Sequence, residues 1–268
     1  MKDDLNNILH SEQTAEGVLR LTMNDQKNRN AFSQIMMNNL IEELTRAASD
    51  QSVRVIIIAS NGPVFSAGHD LKEITAARNQ KDFGDGYFKS LFDTCSLLMQ
   101  LIVSCSKPVI AEVAGTATAA GCQLVASCDL ATAANSAQFA TPGVNIGLFC
   151  STPMVALSRN VNKKSAMEML LTGDMINAEK AKEIGLINDY FETEKLTDET
   201  MILANKIASK SAMTVSMGKG AFYTQSELDL PEAYEYTSKV MIENIQKEDA
   251  KEGIDAFIER RSPEWYDK

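Results

Sequence analysis

Residues 117–124 read ATAAGCQL, and residues 65–71 read FSAGHDL. Each stretch predicts a tight turn after a run of residues typical of a buried strand, and residues 117–124 also open a helix. Two such turns can aim two backbone N–H groups at one carbonyl oxygen, an arrangement called an oxyanion hole. These two stretches therefore predict a fold of strands and helices with a candidate oxyanion hole.

Strand-forming and helix-forming segments alternate around these turns. Strands are predicted at residues 18–23, 53–59, 108–114 and 137–140. Ser33 predicts the N-cap of a helix whose apolar face is Met36, Met37, Leu40, Ile41 and Leu44. A second apolar repeat predicts a helix with a stripe that faces the core: Phe88, Leu91, Phe92, Cys95, Leu98, Met99 and Ile102. This alternation is typical of an α/β fold with parallel strands.

Only helical patterns remain after about Leu196. Thr197 predicts the cap of one helix, and residues 230–244 and 250–261 predict two more. We therefore place a soft boundary near Lys195. It divides the chain into an α/β core over residues 1–195 and a helical C-terminal region over residues 196–268.

The charge of the chain limits its partners. With 36 acidic and 26 basic residues among 268, the formal net charge is −10. That balance argues against nucleic acid or an anionic membrane surface as a partner.

No apolar run reaches the roughly 18 residues that a membrane helix needs. The acidic start, residues 1–5, lacks the apolar core of a signal peptide. We therefore expect a cytoplasmic protein, and leave an organelle open if the natural chain is longer.

The cysteines show no pattern of a metal site or a disulfide framework. There are five of them and only two histidines, without any CxxC or Cys/His ligand spacing. Most of the cysteines lie among apolar or small residues, which predicts buried reduced thiols. The sequence predicts no metal and no disulfide.

Several motifs in chain order resemble the crotonase superfamily, the enoyl-CoA hydratase/isomerase family. They are NAF at 30–32, FSAGHDLK at 65–72, PVIAEVAGTATAAGCQL at 108–124, TG at 172–173, INAEKA at 176–181, GLI at 185–187, EGI at 252–254 and PEW at 263–265. The resemblance covers nearly the whole chain. It implies a spiral of repeated ββα units with a trimerising helical C-terminal region, hence a homotrimer or a dimer of trimers. It also implies a coenzyme A thioester as substrate, with no other cofactor.

The same resemblance assigns roles to particular residues. The amides of His69 and Ala120 are expected to hold the thioester oxygen. The flanking turn residues expected to contact substrate are Ala67, Gly68, Asp70, Leu71 and Gly121. Side-chain chemistry adds further candidates beside the resemblance. The cations that suit the phosphates of coenzyme A are Lys27, Arg29 and Lys72, with Arg260, Arg261 and Lys268 in the tail. Gln123 and Asn145 can hydrogen-bond a substrate head group or water. Cys150 is left open between a substrate-contacting nucleophile and a structural thiol, because no basic partner is visible.

Two positions depart from the family pattern. Hydration in this family uses two glutamates, and Gln123 and Gly143 stand at the matching places. Neither residue can take up or release a proton near neutral pH. Because one positioned acid or base contributes about 10²–10⁴-fold to a rate, we expect poor standard hydration.

Three functions therefore remain open. The first is an acyl-CoA enzyme that stabilises a thioester enolate. The second is a decarboxylase of a malonyl-type thioester, because the turn around His69 also resembles methylmalonyl-CoA decarboxylase, a member of the same superfamily. The third is a protein that binds acyl-CoA without catalysis. The position of one carboxylate also remains open. Glu112 lies within a predicted strand, and the sequence does not decide whether its side chain is buried or contacts another subunit.

Overall fold

The computed structural model describes residues 8–268, so the acidic start at residues 1–5 lies outside the described residues. Strands are β1 (Leu9–Gln13), β2 (Val18–Met23), β3 (Val55–Ser60), β4 (Val64–Ser66), β5 (Val109–Val113), β6 (Thr116–Thr118), β7 (Leu130–Ala134), β8 (Gln138–Ala140), β9 (Ile176–Asn177) and β10 (Asp189–Phe191). Helices are α1 (Gln34–Ser49), α2 (Leu71–Arg78), α3 (Asp85–Ser104), α4 (Ala120–Ser127), α5 (Pro153–Asn160), α6 (Lys163–Thr172), α7 (Ala178–Glu183), α8 (Leu196–Ala208), α9 (Ala212–Gln225), α10 (Leu230–Ile245) and α11 (Glu248–Glu259).

The strands form two sheets that the chain visits in turn. The larger sheet has the order β1-β2-β3-β5-β7-β10, and the smaller has the order β4-β6-β8-β9. β1 pairs with β2 antiparallel and β8 with β9 antiparallel, and the other pairs are parallel. The pairs β3-β4, β5-β6 and β7-β8 each leave one sheet for the other before a helical segment follows. This is the predicted spiral of ββα units, in an α/β arrangement with mostly parallel strands.

The buried strands owe their positions to their side chains. All six residues of β3 are buried, as its β-branched run predicts for a strand covered on both faces. On one face lies α1, whose N-cap Ser33 accepts a hydrogen bond from the Met36 amide as predicted. On the other face α8 packs through Ala204 and Ala208 against Val55. The division of the chain near Lys195 remains a prediction.

Two details of the sequence interpretation are wrong. Phe88 and Phe92 do not belong to the core stripe of α3, because Phe88 is only half-buried and Phe92 is 44% exposed and faces a cavity. Thr197 does not cap α8, which begins at Leu196 with Lys195 at the N-cap position. Its hydroxyl instead donates to the Glu112 carboxylate at 3.0 Å. A helix that the sequence analysis did not predict, α9, fills the gap between α8 and α10.

The question left open for Glu112 has an answer within the subunit. The carboxylate is 3% exposed and accepts two hydrogen bonds from the Arg20 guanidinium, at 2.6 and 2.5 Å. A buried charge is tolerated when it is paired and hydrogen-bonded in this way. Glu112 therefore joins β5 to β2 and α8 and lies apart from the predicted turns. Within the described residues, no helix is both long and apolar enough to span a membrane.

Candidate active site

The two predicted turns meet because the strands before them are neighbours. β4 and β6 pair in parallel, with Ser66 opposite Ala117, so the chain leaves both strands at the same edge. A β-carbon added to Gly121 would lie 2.4 Å from the Ser66 carbonyl oxygen. A β-carbon added to Gly68, whose φ is +84°, would lie 3.2 Å from the Ala120 nitrogen. Glycine is required at both positions because the backbones are in contact.

This contact places two free N–H groups side by side. Within the described residues, neither the His69 amide nor the Ala120 amide donates a hydrogen bond. Ala120 is the first residue of α4, where helix geometry leaves the amides unpaired and the helix dipole favours negative charge. Ala119 before it has φ +50° and ψ −118°, a conformation that costs an L-residue about 1–3 kcal/mol. The rest of the structure holds this strained residue in place, with its own amide bonded to the Ala140 carbonyl at 3.0 Å.

His69 and Ala120, the residues that carry these amides, both line a cavity of about 560 Å³. Its walls come from the first turn and α2, from Phe92 of α3, from the start of α4, and from the segment 142–153. The predicted site residues among its lining are Ala67, His69, Leu71, Ala120, Gly143, Asn145 and Cys150. The lining residues that the sequence analysis missed are mainly apolar: Ile74, Phe92, Ile146, Leu148, Phe149 and Pro153. Three of these, Ile146, Leu148 and Phe149, are at least 43% exposed, and a cluster of apolar residues around a glycine is the signal that could have found them.

The His69 side chain lies in this cavity as a neutral imidazole. Its ring meets the Phe92 ring edge-on, with 5.5 Å between ring centres. Both ring nitrogens are buried and have no hydrogen-bond partner among the described residues. Burial lowers the pKa of His69 below its usual value, so the ring is unprotonated at neutral pH. An unpartnered polar group at this place is available to a ligand.

Gln123 does not line the cavity that holds the His69 ring. It follows Ala120 by one helical turn and is 4% exposed, with Oε1 accepting a weak hydrogen bond from the Cys95 thiol at 3.9 Å. It lines a second cavity of about 640 Å³ between α3, α4, α5 and α9, rather than the cavity that holds His69. Gln123 is thus outside the lining of the cavity that holds His69, as are the turn residues Gly68, Asp70 and Gly121.

Gly143 is covered by its own loop. The 3-10 helix Pro142–Ile146 ends at Gly147, which has φ +77°, and the chain then turns back so that the Leu148 amide donates to the Gly143 carbonyl at 2.9 Å. A β-carbon at position 143 would lie 2.6 Å from the Leu148 carbonyl oxygen and 2.9 Å from the Cys150 sulfur. A larger side chain cannot enter this space unless the loop moves.

The candidate phosphate-binding cations gather at one rim of the first turn. Lys27, Arg29 and Lys72 are all exposed. The Arg29 carbonyl accepts from the Ala67 amide at 3.1 Å, and Lys72 Nζ donates to the Asn28 side chain at 3.0 Å. Asp70 caps α2 by accepting from the Lys72 amide at 2.7 Å. The early loop is thus fastened to the turn that carries His69, although these cations do not line the cavity.

The arrangement of two sheets, converging turns and a cavity at their edge recurs in known proteins. The model of the family described as enoyl-CoA hydratase/isomerase matches residues 13–268. The chain belongs to the enoyl-CoA hydratase/isomerase family. It is 47% identical over 257 residues to the Mus musculus protein named enoyl-CoA hydratase domain-containing protein 3, mitochondrial, which covers 96% of this chain and 84% of that relative.

Solved structures of the family superpose closely on this member. The crystal structure of human enoyl coenzyme A hydratase domain-containing protein 3 has a TM-score of 0.92 at 46% identity, and covers 97% of this chain and 100% of its own. The crystal structure of an enoyl-CoA hydratase from Mycobacterium smegmatis has a TM-score of 0.92 at 45% identity, and covers 97% and 99% of the two chains. The family identity and the fold of this chain are thereby shown.

Proposed function

We propose that this family member binds an acyl-CoA thioester and stabilises its enolate. The observation that carries the proposal is the pair of unbonded amides of His69 and Ala120, two residues that line the same cavity. Negative charge on the thioester oxygen grows as the enolate forms, so fixed donors stabilise that state more than the ground state. A single donor of this kind is typically worth about 3–4 kcal/mol of transition-state stabilisation.

Standard hydration is not the reaction that this cavity favours. Its polar lining side chains, within the described part of the chain, are His69, Asn145, Cys150, Ser151 and Thr152. None of these is a carboxylate that could share a water with a partner, and Gln123 and Gly143 stand where the family resemblance places the two glutamates. We therefore propose that the protein hydrates enoyl-CoA poorly.

We also propose that three exposed cations bind the phosphates of coenzyme A. Lys27, Arg29 and Lys72 lie on one rim and suit the phosphates.

Assembly as a homotrimer or a dimer of trimers is supported by large exposed apolar side chains on α10 and α11, among them Tyr234, Met241, Ile245, Phe257 and Ile258. Light scattering tests the assembly, and a monomer contradicts it. We propose the cytoplasm as compartment, although the mouse relative is named mitochondrial, and cell fractionation decides between them.

The first experiment measures binding and hydration separately. Calorimetry with butyryl-CoA reports binding, and the loss of the enoyl-thioester absorbance of crotonyl-CoA reports hydration. We expect binding with little or no hydration. Efficient hydration contradicts the interpretation of Gln123 and Gly143, and the absence of binding contradicts the proposed function itself.

A decarboxylase is the second candidate, and the neutral His69 ring favours it. An enolate can form by loss of carbon dioxide from a malonyl-type thioester, which needs an oxyanion hole but no base to remove a proton. The unpartnered imidazole beside the amides is available to the leaving carboxylate. Carbon dioxide release from malonyl-CoA and methylmalonyl-CoA tests this, and we expect His69→Ala to lower it about tenfold or more. Binding without turnover of either thioester favours the third candidate, a non-catalytic acyl-CoA-binding protein.

A further inference from the structure

The Cys150 thiol occupies the space beside Gly143. A β-carbon at position 143 would lie 2.6 Å from the Leu148 carbonyl oxygen and 2.9 Å from the Cys150 sulfur, so the thiol is the side-chain group nearest to this position. The turn at Gly147 brings the sulfur there, and the Cys150 carbonyl then accepts from the Met154 amide at 2.9 Å where α5 begins. The position of the thiol is therefore fixed by backbone contacts on both sides.

The same thiol belongs to the wall of the cavity that holds the two free amides. Cys150 is 8% exposed and lines the cavity together with His69 and Ala120. Both His69 ring nitrogens in this cavity are buried without a partner among the described residues, so the cavity offers a bound ligand a second polar group beside the thiol. Burial raises the pKa of the Cys150 thiol above its usual value, so it carries its proton at neutral pH.

An enolate held on the two amides needs a proton at its α-carbon to become product. Gly143 has no side chain, and amide and hydroxyl groups such as those of Asn145 and Ser151 give up a proton far less readily than a thiol, whose ordinary pKa is about 8.5. Among the cavity-lining side chains in the described residues, the thiol is the group acidic enough to serve, because the neutral His69 imidazole holds its remaining N–H proton far more tightly. The thiol lies beside position 143, where the family resemblance places one of the two glutamates of hydration.

We propose that Cys150 delivers the proton to the α-carbon of the enolate that forms when a malonyl-type thioester loses carbon dioxide. This proposal rests on the proposed function, in its decarboxylating form. The bond between the α-carbon and the carboxylate breaks, carbon dioxide leaves, and the electron pair moves onto the thioester oxygen held by the His69 and Ala120 amides. As the carbonyl re-forms, the α-carbon takes the proton from sulfur. The thiolate that remains regains a proton from water.

The stereochemistry of protonation tests this role, because a fixed donor reaches only one face of the enolate. The purified protein decarboxylates methylmalonyl-CoA in D₂O, and the configuration of the monodeuterated propionyl-CoA is determined. We expect a single configuration from the unmodified protein. Cys150→Ala is expected to give both configurations, with product formation lowered about 100-fold. Cys150→Ser, which keeps a weaker donor in place, is expected to be slow but to keep the single configuration.

Cys122→Ala is the matched control. Cys122 is also a fully buried thiol with a pKa raised by burial, to about 12, but it does not line the cavity. We expect this variant to keep both the rate and the configuration of the unmodified protein. A single configuration and an unchanged rate in Cys150→Ala overturn the role of Cys150 while the function stands. No carbon dioxide from the unmodified protein overturns the decarboxylating function, and this role with it.

Discussion

Gly68 and Ala119 touch across the two turns, so closely that a β-carbon on Gly68 would lie 2.9 Å from the β-carbon of Ala119. Both residues have positive φ, +84° and +50°. The contact sets the separation between the two amides that follow these residues in sequence, those of His69 and Ala120. The candidate oxyanion hole therefore depends on the absence of a single methyl group.

Gly68→Ala is expected to weaken acyl-CoA turnover about 100-fold, because the loss of one aligned donor has that effect. It is also expected to lower the free energy of unfolding by about 1–2 kcal/mol, the ordinary cost of an L-residue in the left-handed region. Gly185→Ala is the control, since Gly185 has the same φ of +84° but its nearest neighbour would lie 3.4 Å away. Calorimetry and urea unfolding of both variants check this. Equal binding and turnover by the two variants contradict the role of the contact.

Gly143→Ala is expected to destabilise the fold by about 1–3 kcal/mol, the usual cost of inserting a methyl into a packed site. The new carbon would press on the Leu148 carbonyl oxygen at 2.6 Å, and this is backbone that cannot swing aside. Thermal unfolding measures the effect. Gly218→Ala, at a helical glycine with nothing within 4 Å, is expected to raise stability by about 0.5–1 kcal/mol instead.

The tight packing around Gly143 also determines whether hydratase activity can be introduced. The double variant Gln123→Glu/Gly143→Glu is expected to give no hydration of crotonyl-CoA, because the loop 147–150 fills the space for the second side chain. Efficient hydration by such a double variant indicates that the loop moves readily, and contradicts the rigid packing inferred around Gly143.

Lys219→Met is expected to lower the free energy of unfolding by about 3–5 kcal/mol, since removing one partner of a buried ion pair leaves the other charge uncompensated. Lys219 Nζ lies 2.6 Å from an Asp129 carboxylate oxygen and also donates to the Ile102 and Lys107 carbonyls, which ties α9 to the core. Tyr223 donates to the same carboxylate at 2.9 Å.

The matched control is Lys239→Met on the surface of α10. Lys239 pairs with Glu235 at 2.7 Å, but both side chains are at least 70% exposed. Pairs of this kind contribute about 0–1 kcal/mol, so urea unfolding is expected to show little change. Similar losses for the two lysine variants contradict a structural role specific to the buried pair.

His69 is expected to make the fold sensitive to acid. Its pKa in the folded protein lies below the usual 6.5, so between these two values the unfolded chain binds more protons than the folded one. The free energy of unfolding therefore rises with pH through this window, and the contribution of the neutral His69 ring is lost as the pH falls below about 6.5. His69→Gln, which cannot take up the proton, is expected to lose less stability than the unmodified protein between pH 7.5 and pH 5. Urea unfolding across this range checks it, and parallel curves for the two proteins contradict it.

Local patterns predicted β3, β5, α1 and the two turns near the site, but not the short strands β4 and β6 or the helices α2 and α5. The β-branched run of β3, the Ser33 cap of α1 and the glycine-containing turns at residues 65–71 and 117–124 are encoded within a few neighbouring residues. Phe92 shows where such reasoning fails. Its spacing fits the core stripe of α3, but whether a position on that stripe meets the core or a cavity depends on α2 and on the segment 142–153, which pack on it from far along the chain.

The sequence by itself determined the family, the alternation of strands and helices, and the two turns whose amides we propose to hold a thioester oxygen, because hydrogen-bonded turns and helical spacing are local properties. The tertiary structure alone decided which side chains meet in the cavity. Gln123 faces Cys95 and a second cavity, whereas Cys150 lies beside Gly143. Those relationships follow from how α3, α4 and the loop 147–150 pack together, and packing between distant segments leaves no periodic pattern in the sequence.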